Sequence, residues 1–223
     1  ARLHQCRQYS GYLSSCLSYH GKEALSGIIL GMTSFVHLHT HSHYSLLNGL
    51  PKIKDLVLEA KNLGMDALAL TDSGNLYGAI EFYKECKNEG IKPIIGVDAY
   101  VAARTRFDKE TKLDDARTRL VLLAKNIQGY KNLVKIVSFS YLEGFHNKPR
   151  VDKELLERFH EDIICISPSF RGDIVLAITA KNFEKARELS RWYQKIFGGG
   201  NFFIEITPHP EIPDHMEKMN VLQ

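Results

Sequence analysis

Val36-His37-Leu38-His39-Thr40-His41-Ser42-His43-Tyr44 places four of the chain's ten histidines within seven residues, at every second position. Alternate side chains of an extended chain share a face. The spacing therefore predicts a first strand over 35–38 that runs out into a row of imidazoles. Imidazole is the commonest protein ligand for zinc and similar metals, so the row reads as part of a metal site. The plainer alternative is a polar strand end with solvated histidines.

Downstream, short apolar runs alternate with helical patterns. A helix begins at Pro51 and carries Ile53, Leu56, Val57, Ala60 and Leu63 on one face, with Gly64 suited to its cap. Strand 67–70 ends at Thr71-Asp72-Ser73-Gly74, and a helix over 76–88 stops at Gly90. Strand 92–101 precedes a charged, irregular loop over 104–117. The remaining pattern predicts strand 120–124, helix 130–142, a loop over 144–151 with Lys148-Pro149-Arg150, and a short helix to 159 capped by Asp152. Strand 162–167, helices 172–179 and 182–197, a break at Gly198-Gly199-Gly200, strand 201–206 and helix 213–222 complete it.

This alternation predicts βαβ units and a parallel sheet. In such folds functional residues collect at the carboxyl ends of strands. His39 and His41 follow the first strand, Asp72 the second, and Asp98 lies late in the third. The chain stops inside a predicted helix, which reads as truncation.

Composition narrows the classes. The 223 residues suffice for one sizeable domain with its own core. Hydrophobic residues make up 44% and charged residues 25%, ordinary values for a globular protein. A net charge of +3 is too small to argue by itself for nucleic-acid binding. No apolar run approaches the roughly 20 residues that span a bilayer. Cys6, Cys16, Cys86 and Cys165 show no close pairing, which fits a reducing, cytoplasmic location. Residues 1–31 lack sustained periodicity, and the sharp patterning begins at Met32. Two units are expected: an N-terminal extension over 1–31, either read-through or disordered, and a patterned domain over 32–223.

The patterned part resembles the PHP (polymerase and histidinol phosphatase) domain. Phe35-Val36-His37-Leu38-His39-Thr40-His41-Ser42 and Tyr44-Ser45-Leu46-Leu47-Asn48-Gly49-Leu50 are similar to its opening. Leu63-Gly64-Met65-Asp66-Ala67-Leu68-Ala69-Leu70-Thr71-Asp72, Gly90-Ile91-Lys92-Pro93-Ile94-Ile95-Gly96-Val97 and Leu122-Leu123-Ala124-Lys125-Asn126 continue the likeness. So do Lys148-Pro149-Arg150-Val151-Asp152 and Asn201-Phe202-Phe203-Ile204-Glu205-Ile206. The blocks resemble most the version at the N-terminus of the bacterial DNA polymerase III alpha subunit.

The resemblance implies a distorted (β/α)7 barrel, here cut before its last strand or strands, whose intact members hold up to three divalent metals. His39 and His41 match the first histidine pair, and Asp98 stands where Glu is usual. Four ligand positions are degenerate. Asn48 replaces Asp, Ser73 replaces His, Arg119 replaces His and Ser169 replaces Cys. An amide is a poor zinc ligand, and a guanidinium cannot coordinate a metal. The last ligand pair, Asp-x-His, would lie beyond Gln223. Asp72 and Arg150 sit beside the expected site. Arg150 and Lys148 read either as phosphate or domain contacts or as a solvated loop.

A hydrolytic centre that clamps attacking and leaving oxygens needs two metals about 3.5–4 Å apart. The implied ligand set is too depleted for that, and Arg119 can pair with Asp98 instead. His37 reads as a packing residue, His43 as solvated, and His209 and His215 as loop residues. The leading expectation is thus a mainly structural PHP fragment of a replicative polymerase. Zinc, manganese or magnesium would occupy at most a partial site, and the parent enzyme would use magnesium. Implied partners are the polymerase body of the same chain, the proofreading exonuclease subunit, other replisome components and, through the parent, DNA. No membrane contact is expected. The alternative is an active metal-dependent phosphoesterase or 3′–5′ exonuclease. A sugar-phosphate phosphatase of the histidinol-phosphate type fits the fold but not the polymerase-like blocks.

Overall fold

The computed structural model describes residues 35–207, 209 and 211–222. The expected extension over 1–31, and Met32, lie outside the described residues. Strand β2 (Lys92–Ala102) is the axis of the sheet. Its first half pairs in parallel with β1 (Ala67–Leu70), its last residues pair in parallel with β4 (Arg150–Val151), and a bridge from Ser73 to Asp98 lies between them. On its other edge β3 (Arg117–Ala124) runs antiparallel. β5 (Ile163–Ser167) then pairs antiparallel with β3, and β6 (Phe202–Ile204) pairs parallel with β5. The six strands form one mixed sheet in the order β1-β2-β3-β5-β6, with β4 attached to β2.

The expected all-parallel arrangement therefore fails at β3. The chain between β2 and β3 contains no helix, and a parallel partner needs a crossover long enough to return across the sheet. Only an antiparallel partner is within reach of that loop.

The expected strand over 35–38 is extended chain without a ladder. Ala69 N–H donates to His37 O at 2.9 Å, and Thr71 N–H donates to Thr40 O at 2.8 Å. The Thr40 N–H, however, turns to the Thr71 hydroxyl, and the Thr40 hydroxyl to Ala69 O. Side-chain hydroxyls replace the main-chain partners, and a bend at His39 ends the alternation.

The helices follow their patterns, with ends set by local caps. They are α1 (Ile53–Asn62), α2 (Ala79–Glu89), α3 (Ile127–Leu142), α4 (Lys153–Phe159), α5 (Asp173–Thr179), α6 (Phe183–Phe197) and α7 (His215–Leu222). α3 starts three residues earlier than its apolar pattern, because the Asn126 side chain accepts from Gln128 N and Gly129 N. α2 starts later, because Asn75 folds back on Tyr77 N and holds a turn. Asp152 and Asn182 cap α4 and α6. Gly90 closes α2 in the left-handed conformation, at φ 76°.

Period-2 alternation sorts the strands between two faces. Leu120 and Leu122 of β3 join Val97, Ala99, Leu133, Ile136, Leu155 and Tyr193 in the main core beneath the helices. Val121 and Leu123 turn the other way and pack with Ala69, Ile166, Leu38, Ile94 and Phe203. This second set is the interior column of the sheet. Ile53, Leu56, Val57, Leu68, Leu70 and Phe82 form a third cluster between α1, α2 and β1. Gly96 lies on the interior face, where an added Cβ would stand 2.5 Å from Leu123 Cδ2 and 2.7 Å from Leu122 O. The column has no room for a side chain there.

The irregular segment over 104–116 is held by one buried cation. Arg150 is fully buried, and its guanidinium donates to the carbonyls of Gly144, Asp114, Arg106 and Asp108. Arg106, also buried, forks onto Asp152 and reaches Glu143 and Glu154. Replacing Arg150 by Met removes a donor from four carbonyls, three of them in buried residues, each costing about 1–3 kcal/mol if left buried and unpaired. Relaxation returns some of them to water, so a loss of about 3 kcal/mol or more is expected in denaturant unfolding, with new protease sensitivity across 104–116. The half-exposed pair of Arg104 with Glu110 is the contrast. Glu110→Ala is expected to cost roughly 0–1 kcal/mol.

Candidate metal centre

Residues of one strand parity share the interior face, so Ile94, Gly96, Asp98 and Tyr100 of β2 line one column. Arg119, Val121 and Leu123 of β3 line its neighbour. In the observed register Asp98 lies opposite Val121 and Tyr100 opposite Arg119. Asp98 and Arg119 are thus diagonal cross-strand neighbours, within reach of a long side chain. The column is apolar along Ile94, Val121 and Leu123 and becomes polar at Asp98 and Arg119. The candidate site is this polar end.

Arg119 grips Asp98 with two nitrogens. Nε donates to Oδ1 at 2.9 Å and Nη2 to Oδ2. Nη2 also donates to Ser73 Oγ at 2.8 Å. Two imidazoles approach the same oxygen, with His41 Nε2 at 3.2 Å and His39 Nε2 at 3.4 Å from Asp98 Oδ2. Neither nitrogen makes a well-aligned hydrogen bond. The opposite nitrogen of His39, Nδ1, contacts Glu205 Oε1 at 3.1 Å. Glu205 is itself buried and accepts from Ser169 N at 3.0 Å.

Burial disfavours a charged His39, but Glu205 and then Asp98 outweigh that and hold its pKa at about 10. Burial likewise opposes the Asp98 charge, and Arg119 followed by His39 and His41 overcomes it and keeps the carboxyl well below its usual range. The carboxylates of Asp98 and Glu205 thus face the Arg119 guanidinium and the His39 ring.

His39, His41 and Asp98 each offer a ligand atom, and these atoms lie within 4.8 Å of one another, so the trio could hold one metal ion. Among the described residues this trio is the ligand set of one ion. The Asp98 carboxylate is also gripped by the Arg119 guanidinium. An ion bound there would compete with that guanidinium for the Asp98 oxygens.

The other expected site residues fall outside the trio. Asn48 is exposed in the turn after Ser45. Ser73 serves Arg119. Ser169 Oγ bonds Thr207 Oγ1 at 2.7 Å and helps hold Glu205. Asp72 is buried and accepts from Ser42 N, Ser42 Oγ and Ser45 Oγ, which clips the histidine loop to the end of β1. Arg150 is buried among carbonyls, which overturns its solvated-loop reading.

Only two of the four spaced histidines converge, because the bend at His39 breaks the alternation. His37 is buried edge-on to Phe35, and His43 lies against Tyr44. His215, expected in a loop, opens α7, is buried, and stacks on Phe170 at 4.6 Å with Nε2 2.8 Å from Thr207 O. Glu205 is the member that sequence reading missed. Its signal was a carboxylate inside the apolar run Phe202-Phe203-Ile204-Glu205-Ile206, on the parity of the interior-facing Phe203.

The charge balance has a direct readout. In an NMR titration of the imidazole, His39 is expected to stay protonated through neutral pH and lose its proton near pH 10. Glu205→Gln removes the larger supporting charge and should move that midpoint to lower pH. Its folded pKa is raised, so the stability His39 adds is full below about pH 6.5. It is lost as pH climbs through the folded value.

The described residues contain no helix long and apolar enough to cross a membrane. Residues 37–209 match the family model for the PHP domain. The chain is 50% identical over 176 residues to the DNA polymerase III subunit alpha of Borreliella burgdorferi, covering 78% of this chain and 15% of that protein. It is 47% identical over 177 residues to the same subunit of Treponema pallidum, covering 79% and 15%. A solved structure titled a putative metal-dependent phosphoesterase from Bifidobacterium adolescentis aligns at TM-score 0.37 and 15% identity, over 49% of this chain and 34% of that one. The chain thus spans about 15% of the length of the curated relatives it matches. With the histidine loop, the strand-end carboxylate and most of the chain inside the matched range, the chain belongs to the PHP domain family.

Proposed function

We propose that this chain is the N-terminal PHP domain of a bacterial replicative DNA polymerase of the III alpha type, and that it works as a structural module. The observation that carries this reading is the Arg119 fork on Asp98. It supplies, as part of the fold, the positive charge that a metal would otherwise bring to that carboxylate. The parent protein would add deoxynucleotides to a primer, with magnesium held by carboxylates in a region outside this chain. In that setting the domain packs against the polymerase body and helps dock the proofreading exonuclease subunit and other replisome components. The parent meets DNA, and the setting is the bacterial cytoplasm.

A second reading has one observation in its favour, the convergence of His39, His41 and Asp98. On that reading the domain is a metal-dependent phosphoesterase or 3′–5′ exonuclease using zinc, manganese or magnesium. The trio would hold one ion and polarise a phosphate oxygen. Among the described residues the trio is the ligand set of one ion, so no hydrolytic step is assigned.

Metal content and stability separate the two. Fewer than one tightly bound divalent ion per chain is expected, with no template-directed synthesis by the isolated chain. Arg119→Ala leaves a buried carboxylate unpaired and should cost about 3–5 kcal/mol. Added zinc or manganese should restore part of that loss in the variant and do little for the parent chain. Two or more metals per chain, with phosphoesterase activity abolished by His39→Ala, would overturn the structural reading. Primer extension by the isolated chain would do the same.

A further inference from the structure

Helix α3 carries apolar side chains on two sides. One side, with Leu133 and Ile136, closes the main core. The other side is open. Ile127, Tyr130, Val134, Val137 and Tyr141 follow one another at spacings of three and four residues, and none of them is buried. At 3.6 residues per turn they fall within an arc of about 80°. Ile127 is 69% and Val134 40% exposed, while Val137 also reaches the core. A surface helix ordinarily turns polar residues outward. The strict three-four spacing is instead that of the narrow seam one helix presents to another.

Charge of one sign runs along this seam. The 16 residues of α3 include Lys131 and Lys135 and no carboxylate. The two lysines are one turn apart on the same flank. Arg158 of α4 joins them, because its guanidinium and the Lys135 ammonium lie 5.1 and 5.3 Å from the centre of the Phe159 ring. None of these three cations is in an ion pair among the described residues. Carboxylates on neighbouring turns are occupied: Glu143 and Glu154 pair with Arg106, and Glu157 accepts from Trp192 Nε1. Two cations share one ring with no anion set against them.

We infer that the α3 seam docks an amphipathic helix of a partner protein, with apolar residues along its contact stripe and carboxylates on the flank that meets Lys131, Lys135 and Arg158. Flanking charges of opposite sign set partner choice and orientation in helix pairs of this kind. A second copy of the chain fits worse, because it brings its own lysines to the seam and like charges placed together cost affinity. A lipid surface also fits worse. Binding there scales with buried apolar area, and α3 has its other side committed to the core. The structural module proposed above needs partners. The inference rests on that reading for their existence and adds a surface and a chemistry. The seam shares no residue with the metal cluster, so metal content and helix docking can fail separately.

The test is fluorescence anisotropy of a labelled amphipathic peptide with the 223-residue chain. The probe has Leu at a and d and Glu at e and g of each heptad, and its Glu residues keep it from pairing with itself at neutral pH. Saturable binding is expected, weakening as salt rises. Ile127→Ser and Val134→Ser should each weaken it about 5- to 30-fold. Ile80→Ser, at an exposed apolar residue of α2, should leave it unchanged. Lys131→Glu should weaken the Glu peptide and strengthen a version with Lys in place of Glu, and this exchange reports on the seam even where a truncation loosens the helix. Absence of binding, equal binding of a peptide with the same residues in scrambled order, or an unchanged preference after Lys131→Glu would overturn the inference. So would loss of phosphatidylserine-vesicle binding, or of self-association, on Val134→Ser while peptide affinity stayed the same.

Discussion

A carboxylate buried at the end of an apolar column must be neutralised, and Asp98 is such a carboxylate. It is 3% exposed, on the strand that pairs with three others. An unpaired charge there would cost several kcal/mol. Arg119 meets the requirement from the adjacent strand, and the geometry follows from register, since the two residues are diagonal on one face. The two histidines then have a fixed anion to face, and Glu205 turns His39 toward it. Ser73, Ser169 and the Asp72 clip each hold one member of this arrangement. The polar end of the column is built outward from a single charge that cannot be left alone.

The local elements were legible because their signals are local. The i, i+3, i+4 spacing of Ile53, Leu56, Val57 and Ala60 needs only its own neighbourhood to specify a helix face. The run Ala67-Leu68-Ala69-Leu70 likewise needs only a sheet to enter. Register and direction depend on distant chain, and there the reading was weaker. The antiparallel β3 could have been read from the lack of a helix between β2 and β3, because only a hairpin needs none. The antiparallel pairing of β5 with β3 had no such signal, since α3 and α4 intervene.

In the site, residue types were more legible than their roles. His39, His41 and Asp98 were picked out by their positions at strand ends and Arg119 by the family resemblance, and the four do meet. Regular histidine spacing overstated the convergence, because it assumed that an extended chain keeps alternating. Thr40 exchanges side-chain for main-chain bonds with Thr71 and Ala69, so the chain bends and His37 and His43 go elsewhere. Glu205 went unread because a lone carboxylate in an apolar run looks like a surface position until strand parity is counted. Arg150 shows the opposite error. A cation beside Pro149 in a polar loop suggested solvent or phosphate, yet four carbonyls converge on it, and only the folded path of 104–116 brings them together.

Ion pairing at this site works against metal chemistry for a simple reason. A metal gains most where anions and neutral nitrogens converge with their charge unspent. Here Arg119 contacts both oxygens of Asp98, and the Glu205 and Asp98 carboxylates raise the pKa of His39. On the structural reading proposed above, an ion would have to compete with the Arg119 guanidinium at Asp98, which is buried together with His39. Weakening the pair frees the ligands and exposes an unpaired buried anion in the same step. On that reading, stability of the domain and affinity for a metal are opposing demands on one carboxylate, brought into contact with the arginine by the diagonal register of β2 and β3.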